Sequence, residues 1–204
     1  MYVSHSPYQT RKTILKITFY LVLLLFTSSC TRVDYSCDDI PSWNSYKSEV
    51  SKIENFTLKG KIKVKYDKQI STANFILEQN KSKFSNLIMG PFGITLANIT
   101  GDDKKETLVL SEDNKSISLR DYMLKNFGAN IKHQDLSQIL RAIPLKYSYS
   151  TYENGYPKSQ TTKGFTVNWE KYSCINSVYL PKKINIALTP KAKVTILIQD
   201  FAIN

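Results

Sequence analysis

A mainly antiparallel β fold with a few covering helices follows from three observations. Apolar residues alternate with period two through most of the chain from Asn55 onward. Turn-forming clusters punctuate these runs at short intervals, and no run of β and helical patterns alternates as a parallel α/β sheet requires. The 204 residues carry 42% apolar residues and 12% aromatics, the composition of one globular domain.

The first 29 residues read as an address, not as structure. Arg11, Lys12 and Lys16 precede the apolar run Ile17–Phe26, and no acidic residue occurs before Asp34. That run matches a secretory h-region and is far shorter than the ~20 residues of a membrane-spanning helix. Thr27-Ser28-Ser29 and then Cys30 form a bacterial lipobox, although Thr27 stands where Leu is commonest. Cys30 is the expected lipidation site; ordinary cleavage, leaving Cys30 a plain thiol, is the alternative. Thr31, which is not Asp, points to the outer membrane. The expected organisation is a signal peptide over 1–29, a lipidated tether over 30–38 and one domain over 39–204.

Setting the signal aside removes three basic residues and no acidic one, leaving 25 against 17, a net charge of +8. Export argues against nucleic acid. Lys59, Lys61, Lys63 and Lys65 alternate along one strand, the pattern of a solvated sheet face. Cys37 and Cys174 have three possible states: a disulfide, two buried thiols, or one reactive thiol.

Asp39-Ile40-Pro41 opens a helix, with Asp39 as the N-cap candidate, and Trp43, Tyr46, Val50 and Ile53 form its apolar stripe. The clearest strand follows: Phe56, Leu58, Gly60, Ile62, Val64 and Tyr66 share one face, and Gly60 marks a bend or bulge. Further strands are expected at 70–79, 83–89, 94–99, 106–111 and 116–119. Helices are expected at 121–127, ended by Gly128, and at 136–143, with Asp135 as N-cap and Pro144 as terminator. Strands return at 147–152, 164–170, 175–180, 183–188 and 194–203.

The mature chain offers little chemistry. Its single histidine, His133, reads as a solvated cap or surface residue, and no metal-ligand motif or phosphate loop accompanies it. A Cys174/His133 nucleophile pair lacks any local signature. Asp102-Asp103 and Asp38-Asp39 read as Asx turns. No catalytic residue, metal or cofactor is expected, which leaves binding. A sheet with one apolar face either packs a solid core or closes around an apolar ligand beneath a helical lid. Gly90-Pro91-Phe92-Gly93 places an aromatic ring at the tip of a strand connection, either to plug the barrel mouth or to touch a partner or lipid.

The segments NFTLKGKIKV (55–64), ANF (73–75), GPFG (90–93), SQILRAIP (137–144), VNWEKY (167–172), LPKKI (180–184) and VTILIQDFAI (194–203) occur in an order that resembles the LolB family. The resemblance implies an incomplete antiparallel β-barrel (LolA/LolB-like) with covering helices and an apolar cavity. It also implies an outer-membrane lipoprotein receptor, taking the acyl chains of client lipoproteins from a LolA-like periplasmic carrier and releasing them into outer-membrane lipid. The family's membrane-insertion loop, commonly tipped by Leu, matches Gly90, Pro91, Phe92 and Gly93. The expected cavity residues are Ile62, Val64, Phe75 and Leu77 on the wall and Leu140 and Ile143 in the lid. A lipid-anchored monomer facing the periplasm is expected. A structural or adhesive lipoprotein with a solid core and an envelope hydrolase are the rival readings.

Overall fold

The computed structural model describes Cys37, residues 42–102, residues 104–111 and residues 116–204. The signal segment, the lipobox, the pair Asp38-Asp39 and the Asp39–Pro41 helix start lie outside them. The described residues fall within one compact unit, Tyr35–Asn204, which holds the whole described core.

Helix α1 spans Trp43–Ser51 and is capped by Ser42, whose side chain accepts from the Ser45 N–H. The cap is therefore Ser42 and not Asp39; a hydroxyl there reaches the N3 amide that would otherwise lack a partner. Eleven strands follow: β1 Asn55–Tyr66, β2 Gln69–Asn80, β3 Lys83–Met89, β4 Thr95–Gly101, β5 Glu106–Leu110, β6 Ser116–Ser118, β7 Tyr149–Glu153, β8 Tyr156–Thr161, β9 Thr166–Ile175, β10 Val178–Ala187 and β11 Ala192–Ile203. Between β6 and β7 lie helices α2, Leu119–Phe127, and α3, His133–Leu140.

All strands belong to one antiparallel sheet in the order β6-β5-β4-β3-β2-β1-β11-β10-β9-β8-β7. Every neighbour is a sequence neighbour except β1 and β11, which pair in the middle. The two edges, β6 and β7, do not pair, so the barrel stays open, and α2 and α3 occupy the chain between them. Gly60 sits at a register shift between β1 and β11. A Cβ there would collide with the Leu197 carbonyl oxygen and press on the Phe75 ring, so glycine is required by space.

Three elements differ from the sequence-based expectation. Residues 175–180 are not one strand: Asn176 and Ser177 take φ of 47° and 68°, forming the two-residue turn between β9 and β10. Strand β8 lies outside the expected strands; Asn154-Gly155, at φ of 51° and 81°, is the hairpin turn that joins it to β7. Finally, α3 begins three residues before Leu136, and Asp135 is its N3 residue rather than its N-cap. Its carboxylate accepts from the Lys132 N–H at 3.1 Å, an anion in the first turn of a helix. The same helix ends at Leu140, so Ile143 lies beyond it.

Candidate functional site: an apolar cavity and an exposed loop

One end of the half-barrel is solid. Phe56, Leu58, Leu77, Leu180 and Phe201 are fully buried, and the Phe56 and Phe201 rings stack at 5.3 Å. Helix α3 lies over this end, held by the Trp169 indole N–H donating to the Ile139 carbonyl at 2.8 Å. Arg141 follows α3 and donates from Nη1 to the carbonyls of Val50 and Ile53 at the end of α1, 2.9 and 2.8 Å away. Its guanidinium also lies 5.2 Å from the Phe56 ring centroid. Cys37 and Cys174 form a disulfide, with Cα atoms 5.6 Å apart, which removes the Cys174 thiol from any nucleophile pair.

Toward the other end the same face opens. Ile62 and Val64 are half-buried and Tyr66 is 48% exposed. A cavity of about 330 Å³ occupies this region, lined by inward residues of β1–β5, β10 and β11 and by α2 and α3. Ile62, Val64, Phe75 and Leu140 line it, with Ile88, Ile99, Leu108, Ile186, Leu188, Val194 and Ile196. Leu77 and Ile143 do not. Leu77 lies one inward position nearer the solid end than Phe75, and Ile143 packs instead with Tyr46, Val50 and Tyr156 against α1. Both are ordinary core, because the cavity begins only where the helical layer thins.

The lid is α2, expected as a helix over 121–127, whereas the lid was expected at Leu140 and Ile143. Leu119, Tyr122, Met123 and Phe127 line the cavity at helical spacing, yet no residue of α2 is buried. That 119/122/123/127 stripe is the signal that reveals it. Ser118 caps α2 and Gly128, at φ 62°, ends it.

Polar groups collect where the cavity meets the solid end. His133 is only 5% exposed, in contrast to the solvated residue expected. Its ring stacks on Phe84 at 3.3 Å and its Nε2 lies 2.7 Å from Gln79 Oε1, while its backbone N–H donates to Glu106 Oε1 at 2.7 Å. Burial pushes its pKa down to about 4, with Arg141 adding a smaller push in the same direction. Burial likewise raises the Glu106 carboxyl, against the His133 amide that favours its charged form. Asp102 accepts from the amides of Lys104 and Lys105, which hold its carboxyl below the usual range, so the Asx turn is present at that residue.

Phe92 does not plug the mouth. Pro91–Gly93 forms a single 3-10 turn between β3 and β4, and the Phe92 ring is 102% exposed, so it projects into solvent. Ile94 and Leu96 beside it are 63% and 44% exposed. Phe92 takes φ 60°, a left-handed conformation that costs a bulky residue on the order of 1 kcal/mol. Gly93, at φ 76°, continues the turn, and a Cβ on the buried Gly90 would crowd the Leu96 side chain.

Among the described residues no helix is long and apolar enough to cross a membrane, and no group of His, Cys, Asp and Glu could hold a metal ion. The open antiparallel half-barrel is a fold shared with solved structures. A LolA superfamily protein from Nitrosomonas europaea superposes with a TM-score of 0.53 at 13% identity, covering 81% of this chain and 94% of that one. A putative outer membrane lipoprotein-sorting protein domain from Vibrio parahaemolyticus gives 0.51 at 10% identity, covering 78% and 90%. The particular family is then set by sequence. Residues 54–201 match the family described as outer membrane lipoprotein LolB, and the chain belongs to that family. The outer-membrane lipoprotein LolB of Francisella tularensis subsp. novicida is 26% identical over 178 residues, covering 82% of this chain and 85% of that protein. The LolB of Chromohalobacter salexigens is 20% identical, covering 80% of each.

Proposed function

We propose that this protein is an outer-membrane lipoprotein receptor, anchored through lipidated Cys30 after removal of residues 1–29. It accepts the acyl chains of lipoproteins from a LolA-like periplasmic carrier and passes them into the outer membrane. The observation that carries this reading is an apolar cavity open at the end of the barrel away from its solid core. The exposed apolar loop Gly90–Gly93 is the element that enters the lipid. Ile62, Val64, Phe75 and Leu140 hold acyl chain beneath α2.

No cofactor or nucleotide enters this mechanism. Each CH₂ moved from water to an apolar wall is worth about 0.8 kcal/mol, so chains pass between two abutting cavities without crossing water and move toward the tighter site. The helix α2, with no buried residue of its own, yields to admit them. The proposed activity is binding, and the Cys174 thiol, bonded to Cys37, does not serve as a nucleophile.

A soluble chain beginning at Thr31, mixed with a carrier loaded with a labelled lipoprotein, tests the proposal by pull-down. The label moves to this protein, and Ile88→Trp, which fills the cavity, slows the transfer. A folded chain that leaves all label on the carrier overturns the receptor reading and favours a lipoprotein without a transport role.

A further inference from the structure

The outward face of the central strands pairs some of its lysines with carboxylates and leaves others unpaired. Lys59 lies 3.6 Å from Asp200, and Lys183, at the same register as Lys61 but across β11, donates to Glu170 at 2.7 Å, so these cations are matched by carboxylates. Along β1 beyond Lys59 the facing residues carry no carboxylate. Lys61 faces Asn74 on β2 and Leu197 on β11, Lys63 faces Thr72 and Thr195, and Lys65 faces Ile70 and Lys193. None of these cross-strand neighbours is acidic, and neither Lys61 nor Lys63 has a carboxylate partner among the described residues.

These lysines border a groove. A depression of about 340 Å³ runs between β1, β2 and β11, and its lining includes Lys61, Lys63, Thr72, Thr195, Leu197 and Pro91. Pro91 ties it directly to the loop whose next residue is the fully exposed Phe92. Two ammonium groups, two hydroxyls and an apolar floor, adjoining an apolar probe, suit a lipid phosphate. The phosphate meets the lysines while the glycerol and first methylenes follow Leu197 and Pro91 toward the bilayer.

We propose that this groove docks the phosphate headgroups of an anionic phospholipid bilayer and sets the angle at which the Phe92 loop enters it. The inference rests on the reading of Phe92 as the membrane-entering residue. The unpaired Lys61 and Lys63 lie beside the loop, so headgroup attraction at the groove turns the loop toward lipid. Lysines near an anionic surface each add attraction that fades within a Debye length.

Sedimentation of the soluble chain beginning at Thr31 with vesicles of phosphatidylcholine, alone or mixed with phosphatidylglycerol, tests this. All the described core lies within that chain. The double variant K61Q/K63Q is expected to lose about 30-fold in partition onto the anionic vesicles and to be unchanged on the neutral ones. The K158Q/K163Q variant, which removes the same charge on and just after β8, keeps wild-type partition. Equal losses in both double variants, or none in K61Q/K63Q, overturn the groove. So does a K61Q/K63Q chain that binds vesicles normally but is captured less well by the carrier, because the lysines then serve a protein partner. Phe92→Ser separates the two readings: it weakens binding to both vesicle types if the loop enters lipid. If F92S binds as wild type while K61Q/K63Q does not, the loop reading fails and the headgroup site stands.

Discussion

Phe56 and Leu58 are fully buried, whereas Ile62 and Val64, on the same face of the same strand, are only half-buried. Nothing in the alternation of β1 separates the two pairs. What separates them is the layer opposite: Arg141, just after α3, lies over the Phe56 ring, whereas Ile62 and Val64 face a cavity covered by α2, which buries none of its own residues. An amphipathic strand thus supplies apolar surface, and the covering helix decides whether that surface becomes core or cavity.

Breaking the solid end should cost most. Reducing the disulfide, which joins residues 137 positions apart, removes roughly 4 to 5 kcal/mol, measured as the fall in unfolding free energy in urea with and without reductant. Leu58→Ala or Phe201→Ala should cost about 3 to 5 kcal/mol by the same measurement. At the open end Ile62→Ala should cost under about 1 kcal/mol, since the side chain already faces a void, yet it alters the fluorescence of a bound fatty-acid probe. Equal costs at the two positions would erase the distinction between core and cavity.

His133 sits at the boundary and gives the comparison a pH signature. Its folded pKa of about 4 lies below the ordinary value of 6.5, so the neutral ring is the form that folding favours. The stability it contributes is complete above pH 6.5 and is lost as pH falls toward 4, by on the order of 3 kcal/mol. Glu106 acts in the opposite sense: its raised pKa contributes stability at low pH that is lost as pH rises. The difference between wild type and His133→Gln across pH 4 to 7, read from urea midpoints, isolates the histidine. A flat difference would show that His133 is not buried as a neutral ring.

At the loop the expected effect is of opposite sign. Phe92→Gly removes no buried surface and relieves a left-handed φ, so stability should rise by about 1 kcal/mol while lipoprotein delivery falls. A stabilised variant with undiminished delivery would separate the loop from function.

Much of the fold was legible because a period of two needs no partner to be seen: β1, β2, β3 and β11 follow their alternation closely. The errors fell where turn chemistry competed with propensity. Asn176-Ser177 has no glycine, so the β9–β10 turn was hidden inside a strand-like run, whereas Asn154-Gly155 is a hairpin signal that leads into β8. At the site, Phe92 was conspicuous as a ring between Pro and Gly. Leu77 and Ile143 were misplaced because wall and core share one residue vocabulary, and the α2 stripe was overlooked because a four-residue apolar pattern reads equally as lid or packing.

The sequence by itself determined the strand alternation, the aromatic at a turn and the order of segments that marks the family. These are local properties, written in spacing and residue type. Only the tertiary structure decided that β1 pairs with β11, that the edge strands stay apart, that Cys37 meets Cys174, and where core gives way to cavity. Each depends on contacts between residues far apart in the chain, and whether an apolar face is filled or left hollow is set by the volume opposite it.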